Sequence, residues 1–277
     1  MINHEPLVCV GVASFAPWLR LGMSLEEFAA ECVNLGFTAV EPCDRSIERT
    51  DPEYLARLSK SLQRMGLTIP CIDVRNDFTV KDVTEWRSNI SHVESWLQVA
   101  NSLQVPVIRI WAGVRSTDDG APARVQRALE QLAPSAQHYG VRMAVENHGG
   151  ISSNPDLIAR LIKSIDSPYL GTCPDFGHLA PDDRYDGLAL LIPLSFHIHA
   201  KAHKFRDDGE EADMDYGRIM SLVRKHLPTV FLSIEYEGDV NGVVDNIEGI
   251  KKTLSLIQKH WPSRSERPNM NLVPAAY

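Results

Sequence analysis

The chain has 277 residues, of which 44% are hydrophobic and 23% charged, and its formal net charge is −8. This composition is typical of a folded soluble domain and excludes a disordered chain. The acidic balance disfavours nucleic-acid binding, which depends on clustered Lys and Arg, so we expect a small-molecule substrate. No apolar run approaches the roughly 20 residues needed to cross a bilayer, and the first residues lack a secretion signal, which predicts a cytoplasmic protein without a membrane partner.

The cysteines are odd in number and show no CxxC or zinc-finger spacing. We therefore expect buried, reduced thiols and not disulfides. They are Cys9, Cys32, Cys43, Cys71 and Cys173.

Short β-rich runs alternate with longer helical patterns along almost the whole chain, which is typical of repeated βα units around a parallel sheet. The first strand is followed by "GVASFAPWL" and not by a glycine-rich nucleotide loop, which disfavours a Rossmann fold. The pattern predicts a single (β/α)8 TIM barrel over residues 1–260 and a C-terminal extension over 261–277. In chain order, the predicted strands are LVCVGV, TAVEPC, TIPCIDV, PVIRIWA, VRMAVEN, YLGTCPD, SFHIHAKAH and VFLSIEYE.

Helix boundaries are marked by local signals. Ser24 and Glu27 have the spacing of a capping box, and Gly36 and Gly66 follow two helices where a left-handed cap is expected. The segment 181–194 is the least clear part of the pattern. Helices are predicted over SLEEFAAECVNLG, DPEYLARLSKSLQRMG, SNISHVESWLQVANSLQ, PARVQRALEQLAPSAQHYG and VDNIEGIKKTLSLIQKH, among others.

Acidic and imidazole side chains end four successive predicted strands. Because alternate residues of a barrel strand face the interior, Glu146, His199 and Glu235 share one inward phase, and Asp175 ends the strand "GTC". Burying these carboxylates without a partner would be unfavourable, so something must compensate them. Three carboxylates and one imidazole suit Mn²⁺, Mg²⁺, Co²⁺ or Zn²⁺, which predicts a divalent-metal site at the barrel mouth.

The alternative is a structural ion network, in which Glu146 and Glu235 pair with Arg142, Arg109 or Lys201. The same phase places further polar groups inside the barrel and predicts a polar cup at one mouth. These groups are Glu41, Asp73, Arg75, Arg109, Trp111, Arg142, His197, Lys201 and Glu237.

The stretches "MAVENHGG", "GTCPDFGHLA", "FHIHAKAHKF" and "LSIEYEGD", in this order, resemble the sugar isomerase/epimerase-like barrels. That superfamily includes tagatose and psicose 3-epimerases, hydroxypyruvate isomerase and inosose dehydratase, and more distantly xylose isomerase and endonuclease IV. The resemblance covers about half of the chain directly and implies a xylose isomerase-like TIM barrel. It departs from many relatives at Ala202, where they have an aspartate.

Carried onto this chain, the resemblance implies a divalent ion, most often Mn²⁺, bound by Glu146, Asp175, His199 and Glu235. Glu146 and Glu235 would also be the catalytic pair of an isomerase or epimerase, one removing a proton beside a keto-sugar carbonyl and the other returning it to the enediolate. His178 would contact the substrate or support a metal ligand.

Other polar groups of the mouth have open roles. We expect His148 to be a further catalytic group, with a loop histidine bonded to backbone as the alternative. Lys201, Trp111 and Arg109 are candidate substrate contacts, and Trp111 is equally an ordinary packing residue.

Related functions also stay open. The same enolate could eliminate a leaving group, as in an inosose-type dehydratase or a deglycosidase of C-glycosides acting on a 3-keto-glycoside. An endonuclease IV-like enzyme is disfavoured by the net charge of −8. A non-catalytic sugar-binding barrel is a further alternative. We expect a sugar or cyclitol as the small-molecule partner and a homo-oligomer, with a hetero-oligomer as the alternative.

Overall fold

The computed structural model describes residues 5–227, 229–238 and 245–261. Within these ranges eight strands alternate with helices, as the sequence predicts. The strands are β1 (Leu7–Gly11), β2 (Val40–Glu41), β3 (Cys71–Asp73), β4 (Val107–Trp111), β5 (Arg142–Glu146), β6 (Leu170–Cys173), β7 (Ile198–Ala202) and β8 (Phe231–Tyr236).

All strand pairings between these elements are parallel, in the orders β2-β1-β8-β7 and β3-β4-β5-β6. Parallel bridges join the two sheets on both sides: Cys43 with Asp73 between β2 and β3, and Asp175 with His199 between β6 and β7. The eight strands therefore close into a barrel, which confirms the predicted (β/α)8 fold.

Helices surround this barrel. Among the described residues they are α1 (Ala16–Arg20), α2 (Leu25–Asn34), α3 (Pro52–Arg64), α4 (Val83–Ser102), α5 (Ala121–Tyr139), α6 (Pro155–Ile165), α7 (Arg184–Leu191), α8 (Tyr216–His226) and α9 (Asn246–His260). Short 3₁₀ turns cover Val12–Phe15, Gly150–Ser153 and Ile192–Leu194. No helix in the described part of the chain is both long and apolar enough to span a bilayer.

Local signals locate several helix ends correctly. Ser24 and Glu27 form both hydrogen bonds of the predicted capping box at the start of α2. Gly36 and Gly66 follow α2 and α3 with φ of 86° and 75°, a left-handed conformation that glycine adopts without steric cost.

The structure also differs from the expectations. Helix α4 begins at Val83, five residues before the predicted stretch, because Asp82 caps it by accepting from the backbone N–H of Glu85. The unclear segment 181–194 contains α7 and a 3₁₀ turn. The predicted extension 261–277 lies outside the described residues after position 261.

Two arginines expected inside the barrel are exposed. Arg142 is the first residue of β5, at the amino end of the barrel, and its guanidinium lies 4.9 Å from the centre of the Phe196 ring. Arg75 lies two residues beyond the end of β3. Both predictions were wrong for the same reason. Strand alternation determines which way a side chain points only within the barrel wall, and neither arginine lies deep in that wall.

Apolar contacts pack the strands against the helices, and a small separate layer fills the barrel floor. This layer consists of Cys71, Val107, Ala144 and Cys173, with Phe196 packed against it. Each of these first four residues lies two positions before a polar group of the same strand or strand end, so the apolar floor supports a polar layer above it.

Candidate metal centre at the barrel mouth

The four predicted ligands converge at the carboxyl ends of β5 to β8. Donor atoms of Glu146, Asp175, His199 and Glu235 all lie within 4.8 Å of one another, and every one of these side chains is buried. Strand alternation brings them together, because each residue occupies an inward position near the end of its strand. The structure therefore places all four predicted ligands in one cluster.

Asp175 is fixed by the backbone and side chains around it. Its backbone N–H donates to Asn147 Oδ1 at 2.7 Å, and Asn147 Nδ2 donates to its carbonyl at 2.9 Å. The backbone N–H of Gly177 donates to Oδ1 at 2.7 Å. Oδ2, by contrast, accepts no hydrogen bond, although it is buried and lies 3.9 Å from His199 Nδ1. This oxygen therefore accepts no hydrogen bond, and the Lys201 ammonium at 3.3 Å is its closest ion-pair partner.

Glu146 is held by groups on both of its oxygens. Oε1 lies 2.9 Å from His199 Nδ1, and Oε2 accepts from Trp111 Nε1 at 2.5 Å. Arg109 Nε lies 3.4 Å from Oε2, while its guanidinium forms a closer pair with Asp73 at 2.7 Å. Arg109 is only 5% exposed, so the structure places it under Glu146, in a buried ion pair.

Lys201 is surrounded by carboxylates. Its Nζ lies 2.6 Å from Glu235 Oε2, 2.7 Å from Glu237 Oε1 and 3.3 Å from Asp175 Oδ2. The lysine is 1% exposed, which makes this a buried pair and not a solvated one. The ion network that the sequence left open as an alternative is therefore present at Glu146 and Glu235, alongside the cluster of ligand atoms, and Arg142 takes no part in it.

Neighbouring charges shift the pKa values of several buried groups at the mouth. Burial alone would raise the pKa of Glu146, but Arg109 and His199 outweigh it and hold the pKa well below its ordinary value. Burial likewise opposes the charged form of Lys201, yet Asp175, Glu235 and Glu237 raise its pKa well above the usual range. For Glu41, His197 and His199 outweigh burial and lower the pKa well below normal. The Glu146 and Glu41 carboxylates and the Lys201 ammonium are therefore all held in their charged forms.

The two ring nitrogens of His199 face different groups. Nδ1 faces Glu146, Glu235 and Asp175, whereas Nε2 lies 3.4 Å from Glu41 Oε1 and 3.7 Å from Asp73 Oδ1. Consequently a second overlapping set of possible ligands exists, made of Glu41, Asp73, His199 and Glu235. Strand alternation predicts Glu41 and Asp73 in the polar cup, but neither was among the predicted ligands. Their inward phase at strand ends was the same signal that identified the other carboxylates.

Three aromatic or imidazole rings line the rim above the cluster. His148 stacks on Trp111 with ring centres 4.4 Å apart, and it meets His178 edge-on at 4.2 Å. The side chains of His148 and His178 are 32% and 27% exposed, so they face both the solvent and the buried ligands. His148 Nδ1 lies 3.4 Å from Glu146 Oε2 without a hydrogen-bond partner. These rings are placed where a molecule entering the mouth would touch them.

The residues fit a divalent ion. Oxygen and imidazole donors in this ratio suit Mg²⁺, Mn²⁺ or Zn²⁺. The buried Oδ2 of Asp175 accepts no hydrogen bond and is paired with the Lys201 ammonium at 3.3 Å, so it is an anionic atom to which an ion could bind. Of the two overlapping sets, the one facing Nδ1 includes this atom and lies beside the partly exposed rim. We therefore take Glu146, Asp175, His199 and Glu235 as the set that could hold the ion.

Comparison with known structures gives the same fold. D-psicose 3-epimerase in the presence of D-fructose aligns with a TM-score of 0.73 at 14% identity, covering 92% of this chain and 99% of that one. The IolI protein with a bound zinc atom aligns with a TM-score of 0.72 at 14% identity, covering 92% and 98%. The probable 3-DHS dehydratase AsbF from Bacillus anthracis aligns with a TM-score of 0.67 at 18% identity, covering 88% and 97%.

At these identities the structural likeness shows the fold alone. A search of curated protein sequences finds no match. The sequence does match the family described as xylose isomerase-like TIM barrel over residues 29–260, which is most of the chain. The resemblance stated from the strand motifs is thereby confirmed, and the chain belongs to the xylose isomerase-like TIM barrel family.

Proposed function

We propose that this protein is a divalent-metal-dependent isomerase or epimerase that removes a proton beside the carbonyl of a keto-sugar. The observation that carries the proposal is the buried cluster of Glu146, Asp175, His199 and Glu235, whose donor atoms lie within 4.8 Å of one another at the barrel mouth. An ion bound there would polarise a substrate carbonyl and stabilise the negative charge that develops on proton removal.

Glu146 and Glu235 are the proposed base and acid. They belong to β5 and β8, on either side of β6 and β7, and lie 2.9 Å and 3.4 Å from the same nitrogen of His199. A carboxylate kept ionised at neutral pH can accept a substrate proton, and the hydrogen bond from Trp111 Nε1 at 2.5 Å orients Glu146 for this role. Trp111, His148 and His178 would contact the sugar at the rim, while Arg109 and Lys201 would act on the carboxylates that they pair with.

The similar structures include D-psicose 3-epimerase in the presence of D-fructose, which supports a small sugar or cyclitol as the substrate. One of them holds zinc, which supports a divalent ion. The preference for Mn²⁺ and the expected homo-oligomer stay predictions. Metal analysis of the purified protein and its native mass test them directly.

A lyase is the second candidate, because His148 supplies an additional acid–base group. Its side chain is 32% exposed, so the ring can meet a leaving group as an acid or base, while its buried Nδ1 faces Glu146 Oε2 at 3.4 Å. The likeness to a probable dehydratase agrees with this alternative. In a lyase, the enolate formed by proton removal would expel a β substituent instead of being reprotonated.

The decisive experiment incubates the metal-loaded protein in D₂O with ketoses, inososes and 3-keto-glycosides, and NMR follows both deuterium exchange and products. We expect Glu146→Gln and Glu235→Gln each to lower exchange by about 100-fold or more, since each removes a group that transfers the proton. Exchange at the wild-type rate in both variants would refute the proposed pair.

His148→Gln separates the two candidates. An epimerase would keep its exchange in this variant, whereas a lyase that uses His148 would exchange deuterium but no longer form the elimination product. A protein that binds metal and sugar without any exchange would be a non-catalytic barrel, and the proposal would fail.

A further inference from the structure

Glu41 lies beside the proposed metal centre, at the end of β2, and is completely buried. Its Oε1 lies 3.0 Å from His197 Nε2 and 3.4 Å from His199 Nε2. His197 directly precedes β7 and His199 lies within it. Because they are two residues apart on an extended segment, both side chains point into the barrel. A single carboxylate oxygen therefore stands between two imidazole rings, one of which belongs to the proposed ligand set.

A neutral imidazole carries one proton, and the nitrogen that binds a metal must be the one without it. In His199 the nitrogen facing Glu146, Glu235 and Asp175 is Nδ1. The proton must then reside on Nε2, where Glu41 Oε1 is within 3.4 Å and accepts it in a hydrogen bond. A carboxylate in this position fixes both the tautomer and the orientation of a ligand histidine.

Glu41 is poorly placed to be a ligand of the same ion. It faces the opposite edge of the His199 ring from the three other ligands. The set that contains Glu41 and Asp73 would use Nε2 of His199, and a neutral ring cannot leave both of its nitrogens unprotonated. His197, on the other side of Glu41, is only 1% exposed and is closed off from the mouth.

We propose that Glu41 is a positioning residue of the metal centre, which holds His199 in the Nε2–H tautomer and so directs Nδ1 to the ion. This inference rests on the proposed function in one respect, that the cluster binds a divalent cation. It adds a residue that does not touch the ion and that governs how tightly the ion is held.

The first test measures the affinity of the whole chain for Zn²⁺ and Co²⁺ by calorimetric titration. In Glu41→Gln, the amide either accepts more weakly than a carboxylate or donates to Nε2 and stabilises the opposite tautomer. We expect the dissociation constant to rise about 10- to 100-fold, with unchanged stoichiometry. An unchanged dissociation constant in the variant would overturn the inference.

Asp44→Asn is the matched control. Asp44 is another carboxylate just beyond β2, but its partner is His92 at 3.1 Å, which belongs to none of the possible ligand sets. This variant should bind metal as the wild type does. An equal loss of affinity in both variants would indicate a general disturbance of β2 and overturn the role of Glu41.

A second measurement does not need the Glu41→Gln variant. Long-range ¹H–¹⁵N NMR of histidine-labelled, Zn²⁺-loaded wild-type protein reports which ring nitrogen of His199 is protonated, with the signal identified by its loss in His199→Gln. We expect a proton on Nε2, and a proton on Nδ1 would overturn the inference. If the wild type binds neither ion, the proposed metal centre itself fails, which is a different outcome from equal binding by wild type and Glu41→Gln.

Discussion

Lys201→Met should destabilise the metal-free protein strongly. The substitution keeps the approximate length of the side chain and removes a buried ammonium that lies 2.6 Å from Glu235, 2.7 Å from Glu237 and 3.3 Å from Asp175. Leaving a buried carboxylate without its partner costs about 3 to 5 kcal/mol. With an unfolding entropy of roughly 2 cal/mol/K per residue, this corresponds to a drop in Tm of about 5 to 9 °C.

Bound metal should offset much of this loss. The ammonium and a divalent ion neutralise the same carboxylates, Asp175 and Glu235, so removal of the ammonium strengthens the attraction of the site for the ion. The assay is calorimetric melting of both proteins in EDTA and in excess Zn²⁺. We expect the metal to raise Tm more in Lys201→Met than in the wild type.

Lys252→Met provides the control for this prediction. Lys252 also pairs with a glutamate, Glu248, at 2.8 Å, but the two side chains are 39% and 57% exposed. Exposed pairs contribute about 0 to 1 kcal/mol, so Tm should change by no more than about 2 °C. The reasoning is refuted if Lys201→Met melts within about 2 °C of the wild type in EDTA, or if both variants lose the same amount.

Two further changes test the packing and the electrostatics outside the site. Gly249→Ala would place a methyl group against the buried Tyr236 ring, closer than van der Waals contact. Although alanine favours helices, we expect the free energy of unfolding measured in urea to fall by about 1 to 3 kcal/mol. A higher urea midpoint would contradict this. Hydrogen bonds from His92 and from the backbone of Arg75 outweigh burial and lower the pKa of Asp44, so its stabilisation is present above the unfolded pKa of about 4 and is lost as pH falls below it. Asp44→Asn should therefore have a lower free energy of unfolding than the wild type at pH 7, by about 1 kcal/mol. This difference in stability should shrink toward pH 3, and a difference that does not change with pH would contradict the assignment.

The barrel was predictable because its signals are local. Apolar strands, capping residues and glycines after helices repeat along the chain, and each is decided by residues close in sequence. Strand lengths were less predictable. β2 and β3 are shorter than the predicted runs, and prolines explain this, since Pro42 and Pro70 lack the N–H that a strand ladder needs.

The members of the candidate site were predictable from strand alternation, but their contacts were not. Alternation gives the side of the sheet on which Glu146, His199 and Glu235 lie. It does not give the rotamers or the stagger between strands, which decide that Lys201 reaches Glu235 and that Trp111 donates to Glu146. Nor does it distinguish Nδ1 from Nε2 of His199, on which the role of Glu41 depends.

The proposed ligands lie within or directly beyond the strands, whereas His148 and His178 of the rim belong to the segments that leave β5 and β6. A loop tolerates insertion and exchange far better than a barrel strand does, because few backbone hydrogen bonds depend on it. Laboratory evolution of the proposed activity could therefore vary His148 and His178 in combinatorial libraries while the four donors remain in register. The proposed ligands and these two rim histidines thus lie on parts of the chain that tolerate substitution to different degrees.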